Sequence, residues 1–409
     1  MDAVVQPKPR ARYAAKRDAI MAAATQVFAD QGMSGFTLAA VAKRMDLHPV
    51  SLTYYFKRKE DLAAAVLHDT MLRFGEMLTE AEAKPTPQER LRTYVAAYFE
   101  VRRQVIEEGK IPLAPFSEIN LIEGDQHGAL MEAYRALYVR TSRLLKAPDM
   151  PWMTPPRRAA LTRLLISQLT WSDAWLDNYE PSDYGRVADR IVDVMIGGLA
   201  AQGQAWPDLP LLDLAPPVAQ NDEVTRDRFL VAATKLINRE GYRGASVDKI
   251  SAELKVTKGS FYHHNADKDE LAAACFCRTF DLIDEAKREA SSIEPGWTRL
   301  WLATMSLAMH QGSGEYGLML RHYAIAAVPP SMRRTMLTRF RQIAHSFAGI
   351  ISDGVADGSI RAVDPLLASR YVMVVFNSCL PLDARSNPGE DDNLIDSYLR
   401  PALLGCFSE

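Results

Sequence analysis

The amino-acid sequence predicts an all-α protein of two tandem units, each a three-helix head containing a helix-turn-helix followed by a helical bundle. Three observations carry this reading. A segment of 51 residues recurs 209 residues later without a gap, its apolar residues fall at helical spacing between glycines, and a proline-rich stretch separates two halves of similar plan. The 409 residues, 48% of them hydrophobic, with 48 Lys+Arg against 51 Asp+Glu, describe a soluble globular chain of several domains. No window approaches the run of about 18 apolar residues that a spanning helix needs. The first 17 residues carry charges and prolines where a secretory signal needs an apolar core, so a cytoplasmic location is expected. Cys275, Cys277, Cys379 and Cys406 lack metal-type spacing, which predicts neither disulfide nor zinc.

The repeat aligns residues 17–67 with residues 226–276. Thirteen of the 51 positions are identical, among them Ala23-Ala24-Thr25 with Ala232-Ala233-Thr234, Gly32 with Gly241, Gly35 with Gly244, Ser51 with Ser260 and Lys59 with Lys268. Most other core positions exchange one apolar residue for another, which points to a tandem duplication. Residues 1–16 are expected to form a basic arm, residues 17–67 and 225–276 the two heads, residues 68–204 and 277–409 the helical regulatory domains, and residues 205–224 the linker.

Within each head the elements follow from local chemistry. Ile20, Ala23, Ala24, Val27 and Phe28 share one helical face, as do Phe229, Ala232, Ala233, Leu236 and Ile237. Gly32 and Gly241 close these helices in a left-handed conformation. Thr37 and Ser246 are N-cap candidates for a short second helix, which buries Leu38, Val41, Ala42 and Met45 in one copy and Val247, Ile250, Ser251 and Leu254 in the other. After a tight turn a third helix begins near Pro49, or behind Thr257 as its N-cap. Lys59 and Lys268 open a long fourth helix.

Two short helices joined by such a turn, the second rich in Ser, Thr, Tyr, His and Lys, form a helix-turn-helix. Its second helix fits the major groove, where polar side chains reach base edges and phosphates. Charge agrees with this. Residues 1–60 hold ten Lys/Arg and five acids, and residues 7–17 hold five cations and no acid, as an unstructured arm on polyanionic nucleic acid would. The segment 225–270 has nine Lys/Arg and seven acids, a weaker balance.

These residues resemble the tetracycline-repressor (TetR-like) family of bacterial transcriptional regulators. The second copy matches the family's signature through Val256-Thr257-Lys258-Gly259-Ser260-Phe261-Tyr262-His263-His264 and departs at Asn265, where the family places a buried Phe. The first keeps Tyr54-Tyr55-Phe56-Lys57 but has His48-Pro49-Val50 for the usual Ser-Lys-Gly and Thr53 for the usual Tyr. The copies stand about one family subunit apart, so the chain looks like two subunits fused head to tail. The resemblance implies phosphate contacts from Thr37, Tyr54, Tyr55 and Lys59 in one head and from Ser246, His263, His264 and Lys268 in the other, with Ser51 and Ser260 also at the DNA-binding surface. It implies base contacts from His48, Pro49, Val50 and Thr53, and from Thr257, Lys258, Gly259 and Tyr262. Val50 offers a thymine-methyl contact and Lys258 a donor to guanine, so the heads are expected to read unlike half-sites of an asymmetric operator.

The remaining segments read as helices over residues 87–108, 128–146, 156–179 and 182–202, then over 295–311, 317–327, 330–357, 365–380 and 391–407. Residues 205–222, with four prolines and no Lys or Arg, read as an extended connection. In the family the last two long helices of each subunit pack against the partner. Here that association would be intramolecular, giving a monomeric pseudo-dimer whose heads sit about 34–36 Å apart on DNA. The resemblance also implies repression relieved by a small, mostly apolar effector, with Phe99, Tyr138, Trp171 and Trp175 as candidate linings in the first half. Trp301, Met305, Met309, His322 and Tyr323 are the candidates in the second; plain interior packing is the alternative for each.

Catalysis is not expected: no phosphate loop, HExxH, GxSxG or repeated acid pair is present, and no cofactor or metal is expected. Two alternatives stay open, a protein that binds a partner regulator instead of DNA, and a regulator with only its first head active on DNA.

Overall fold

A computed structural model describes residues 9–116, 119, 122, 124–214, 226–264, 267–312, 318–321, 324, 325, 328, 330–379 and 394–409. All regular structure among them is helical apart from one isolated antiparallel bridge between Ala200 and Ile360. The chain divides into two units, one of residues 1–77 and 101–139, the other of residues 78–100 and 140–409.

The first unit opens with α1 (Pro9–Gly35), α2 (Leu38–Arg44), α3 (Val50–Thr53) and the first turns of α4 (Lys59–Glu82). Of the predicted apolar positions Ile20, Ala24, Val27, Phe28, Val41 and Ala42 are buried and Ala23, Leu38 and Met45 half-buried; Leu52, Leu62 and Val66 complete the core, with Phe28 and Phe36 edge to face at 5.2 Å. From Pro9 onward the expected arm corrects to helix, because α1 begins there, and residues 1–8 lie outside the described residues. Tyr13 stacks on Tyr55 at 4.8 Å, which gives this end of the helix a tertiary anchor. Gly32 has φ 61° and ψ −178°, and Gly241 has φ 72° and ψ 167°. The positive φ is as expected, but ψ is extended, a region open essentially to glycine alone. After α5 (Pro87–Glu107) the chain is held to α4 by side chains. Arg73 donates to the carbonyls of Ile111 and Pro112, each at 2.7 Å, and Thr70 Oγ1 accepts from the Ala114 amide at 3.1 Å. Phe116 then bridges Phe74 of α4 and Tyr134 of α6 (Asp125–Leu144).

The second unit contains α7 (Pro155–Ser172), α8 (Tyr184–Gly197), the linker and the whole second half. The second head repeats the first: α9 (Arg226–Gly244), α10 (Val247–Glu253), α11 (Lys258–His264) and α12 (Lys268–Glu289) enclose Phe229, Ala233, Leu236, Ile250, Phe261 and Leu271. Even the turn conformation recurs, since Asp46 at φ 53° and Lys255 at φ 57° are, among the described residues, the two non-glycine residues with positive φ, 209 residues apart. Behind it stand α13 (Gly296–Gly312), α14 (Pro330–Ala356) and α15 (Pro365–Asn377). α15 is capped by Asp364, whose carboxylate accepts from the Leu366 and Leu367 amides at 3.1 Å, with Pro365 in the first turn.

Three expectations need correction here. Residues 318–321 are not helical: Gln311, Thr279 and Asn238 side chains accept from the amides of Met319, Leu320 and Arg321 at 2.7, 2.8 and 3.0 Å, the donors a helix would use. The last element is a five-residue π-helical turn (Ile395–Leu399) running into α16 (Arg400–Leu404), not one long helix. The linker is extended over residues 205–214 but docked, not free: Trp206 meets Trp301 at 5.8 Å, Trp297 Nε1 donates to the Ala205 carbonyl at 3.2 Å, and the Leu212 amide donates to Ser306 Oγ at 3.0 Å. The rest of the linker, most of the predicted helix 317–327 and the start of 391–407 lie outside the described residues.

Helices α7 and α8 of the first half pack on α15 and the C-terminal turn of the second. Main-chain bonds join them, Leu199 to Leu403 at 2.8 Å, Cys406 to Met195 at 2.8 Å, and Arg361 to Leu199 at 3.0 Å. Arg361 also pairs with Asp193 at 2.8 Å, and Arg163 donates to the carbonyls of Ser378 and Cys379 at 3.0 Å each. Gly198 is obligatory at this seam: its φ is 67°, and a Cβ there would lie 2.2 Å from the Leu404 carbonyl carbon.

Candidate nucleic-acid interface

In the first head Thr37 caps α2, its hydroxyl oxygen accepting from the Ala40 amide at 3.0 Å. That fixes the N-terminus of α2, whose free amides and dipole favour an anion. Pro49 heads α3, and Thr53 Oγ1 donates to the Val50 carbonyl at 2.8 Å. Only Leu52 of α3 is buried, and that one anchor turns His48, Val50, Ser51, Thr53 and Tyr54 to the surface. Val50 is 68% exposed and Tyr54 76%, an apolar and an aromatic side chain in water for which the head's own core has no use. Pro49, Tyr55 and Lys59 are half-buried.

The second head places its counterparts alike. Ser246 caps α10 by accepting from the Lys249 amide at 3.3 Å, and Thr257 accepts from the Ser260 amide at 3.3 Å at the start of α11. Phe261 is the buried anchor, against Phe229 at 5.9 Å, and Thr257, Lys258, Gly259, Tyr262 and His263 are exposed while Ser260 is half-buried. The His264 side chain and all of Asn265 lie outside the described residues.

Electrostatically the heads differ. In the first, Arg44 stands 3.7 Å from Asp30 and Arg58 2.8 Å from Asp61, whose carboxyl the Arg58 hydrogen bond holds below its usual range. In the second, Lys258 on the recognition helix is paired with Asp248 at 2.5 Å, Lys249 with Glu240, and Lys268 lies over the Tyr242 ring at 4.3 Å. The Glu240 carboxyl is lowered by its Lys249 and Arg239 bonds, which outweigh its partial burial.

Sequence reading missed Tyr13 and counted Arg17 only as a cation of the arm. Tyr13 joins Tyr54 and Tyr55 in one aromatic cluster, and Arg17 lies over the Phe56 ring at 5.4 Å. Tyr13, Arg17, Ile20 and Ala24 continue the helical spacing of α1 backwards, and that is the signal which finds them. Asp248 was legible only as an acid standing where the first head has Ala39.

Of the effector candidates, Phe99, Trp301 and Met305 are buried, Tyr138 and Met309 half-buried, and His322 and Tyr323 lie outside the described residues. Trp171 meets Phe340 of α14 at 5.3 Å, and Trp175 lies beneath Arg370 of α15, so both belong to the seam between the halves. None lines either of two clefts, of about 410 and 520 Å³, that sit at matching positions between the first and fourth helices of the heads. Among the described residues no helix is long and apolar enough to cross a membrane.

Comparison with known proteins places this geometry in a family. Residues 20–66 and 229–275 each match the family "Bacterial regulatory proteins, tetR family". The Transposon Tn10 TetC protein of Escherichia coli is 33% identical over 81 residues, 20% of this chain; the match spans 41% of that protein. The HTH-type transcriptional regulator BetI of Paraburkholderia phymatum is 29% identical over 189 residues, 44% of this chain and 92% of that one. Among solved structures, apo AibR covers 44% of this chain and 98% of its own at 21% identity, with a TM-score of 0.36. Residues 20–66 and 229–275 are each an N-terminal domain of the tetR family of bacterial regulatory proteins, so the chain carries that domain twice.

Proposed function

We propose that the chain is a DNA-binding transcriptional repressor acting as a covalent pseudo-dimer: one head reads each half of an asymmetric operator, and a small effector releases it. The observation that carries this reading is the pair of heads itself. Matching register positions are exposed on both recognition helices, each held by a single buried anchor and an N-capped neighbour, within one chain. The side chains at those positions differ: Pro49 faces Lys258, Val50 faces Gly259 and Thr53 faces Tyr262 in the alignment, so the readable bases differ too. BetI matches 44% of this chain across 92% of its own length, which supports one subunit's worth of chain per half. The seam from α7 and α8 to α15 supports an intramolecular arrangement.

Fluorescence anisotropy against DNA from around the protein's own gene, at several salt concentrations with random DNA as control, tests this. Tight, specific binding with a steep salt slope is expected, and Lys59→Glu should abolish it. Binding no tighter than to random DNA would overturn the reading. The Lys258–Asp248 pair favours a second reading in which the first head supplies most of the grip; Lys268→Glu would then cost far less than Lys59→Glu.

A further inference from the structure

The seam between the two halves contains polar groups that folding alone leaves unsatisfied. Arg370 of α15 is 4% exposed, yet its Nε has no hydrogen-bond partner, and none of the ion pairs among the described residues includes it. Its guanidinium lies 5.7 Å above the Trp175 ring, just past the end of α7. The Trp175 Nε1 and both amide atoms of Gln168 on α7 are likewise buried without partners. Arg163 and Arg361 at this seam are served by the Ser378 and Cys379 carbonyls and by Asp193, and Arg157, whose Nε is also without a partner, donates from its other nitrogen to the Ser408 carbonyl. Burial pulls Arg370 down to about 10, against the weak pull of Tyr179 and Asp177 on the following turn, and Arg341 adds a like charge. A cation–π contact compensates a buried guanidinium only in part, and a guanidinium with five donors and no acceptor is costly to enclose.

We propose that Arg370, Gln168 and Trp175 form a binding site for a small organic carboxylate in the seam between α7 and α15. The planar fork of an arginine matches a carboxylate with two parallel N–H···O bonds. One buried cation balances one negative charge, which selects a carboxylate over a phosphate dianion. Gln168 and the indole N–H are further buried donors without partners at this seam, and the Trp175 ring offers an apolar body a face to lie on. Tyr179, whose phenol burial pushes up, keeps its proton and remains a donor. The proposal names the class of effector that the functional reading above leaves open, and it rests on that reading only for its regulatory consequence, since binding is measured without DNA.

The test is thermal unfolding of the full chain in sodium benzoate, acetate, phosphate and chloride at matched ionic strength. Benzoate and acetate should raise the midpoint saturably, by about 2 °C or more over chloride, and phosphate should not. Arg370→Met should lose that response yet melt no lower than the unsubstituted chain in chloride, because it removes an uncompensated charge. Arg370→Lys, which keeps the charge without the fork, should respond weakly. Circular dichroism establishes that both variants fold. No carboxylate-specific rise, an equal rise in Arg370→Met, or an equal rise with phosphate overturns the proposal.

Discussion

Lys258 and Pro49 occupy the same register position on the two recognition helices, and the second head answers its extra cation with an extra anion, Asp248, where the first has Ala39. The pair is exposed on both sides, so it stabilises the fold little, but it shields a charge that would otherwise neutralise a phosphate or reach a guanine. Asp248→Ala, which copies the first head, should therefore tighten DNA binding by the second head. It should also steepen the dependence of log K on log salt by about 0.9, one further phosphate contact, as read by anisotropy on a half-site duplex. An unchanged slope would mean that Lys258 does not face DNA. In the first head Tyr54 and Tyr55 carry the aromatic part of the surface, and Tyr13 braces them from α1. Tyr13→Ala should weaken binding through loss of that brace while leaving the exposed Val50 and Thr53 untouched, so affinity should fall on all sequences rather than on one.

The elements of the heads are written into short-range chemistry, and for that reason they are legible. Thr37 and Ser246 at the N-caps, the glycines at 32 and 241, and single buried anchors at Leu52 and Phe261 need no tertiary information to be placed. Gly32→Ala or Gly241→Ala should each cost about 1–3 kcal/mol in denaturant unfolding, since φ 61° or 72° with an extended ψ admits little but glycine. What escaped the sequence depends on contacts between distant residues. Residues 318–321 contain nothing that forbids a helix; they are drawn out of one because Gln311, Thr279 and Asn238, from three other helices, accept their amide protons. The arm is helical because Tyr13 finds Tyr55, forty-two positions on. The linker's prolines foretell its extended backbone, but its docking needs Trp297 and Trp301 to be side by side on α13. Trp171 and Trp175 are candidate linings only through the family resemblance, and their place at the seam comes from the packing of α7 on α14 and α15.

For the whole molecule, the proposed pseudo-dimer rests on the seam. Its closest approach is at Gly198 against the backbone of Leu404 and Gly405, reinforced by the Arg361–Asp193 pair and the Leu199–Leu403 and Cys406–Met195 main-chain bonds. A methyl group at Gly198 has no room and an unfavourable φ, so Gly198→Ala should cost about 2–5 kcal/mol of stability. With the seam intact, sedimentation should give the mass of a single chain, 45.6 kDa, even on dilution, because the linker holds the bundle halves at an effective concentration on the order of millimolar. The most direct test of a two-headed chain on an asymmetric operator is a hydroxyl-radical footprint of the full chain on its operator at one chain per duplex. Two protected patches of different sequence about one helical turn apart, with the second lost selectively in Lys268→Glu, are expected. A perfect inverted repeat protected equally in both halves, and only when two chains are bound per duplex, would contradict it.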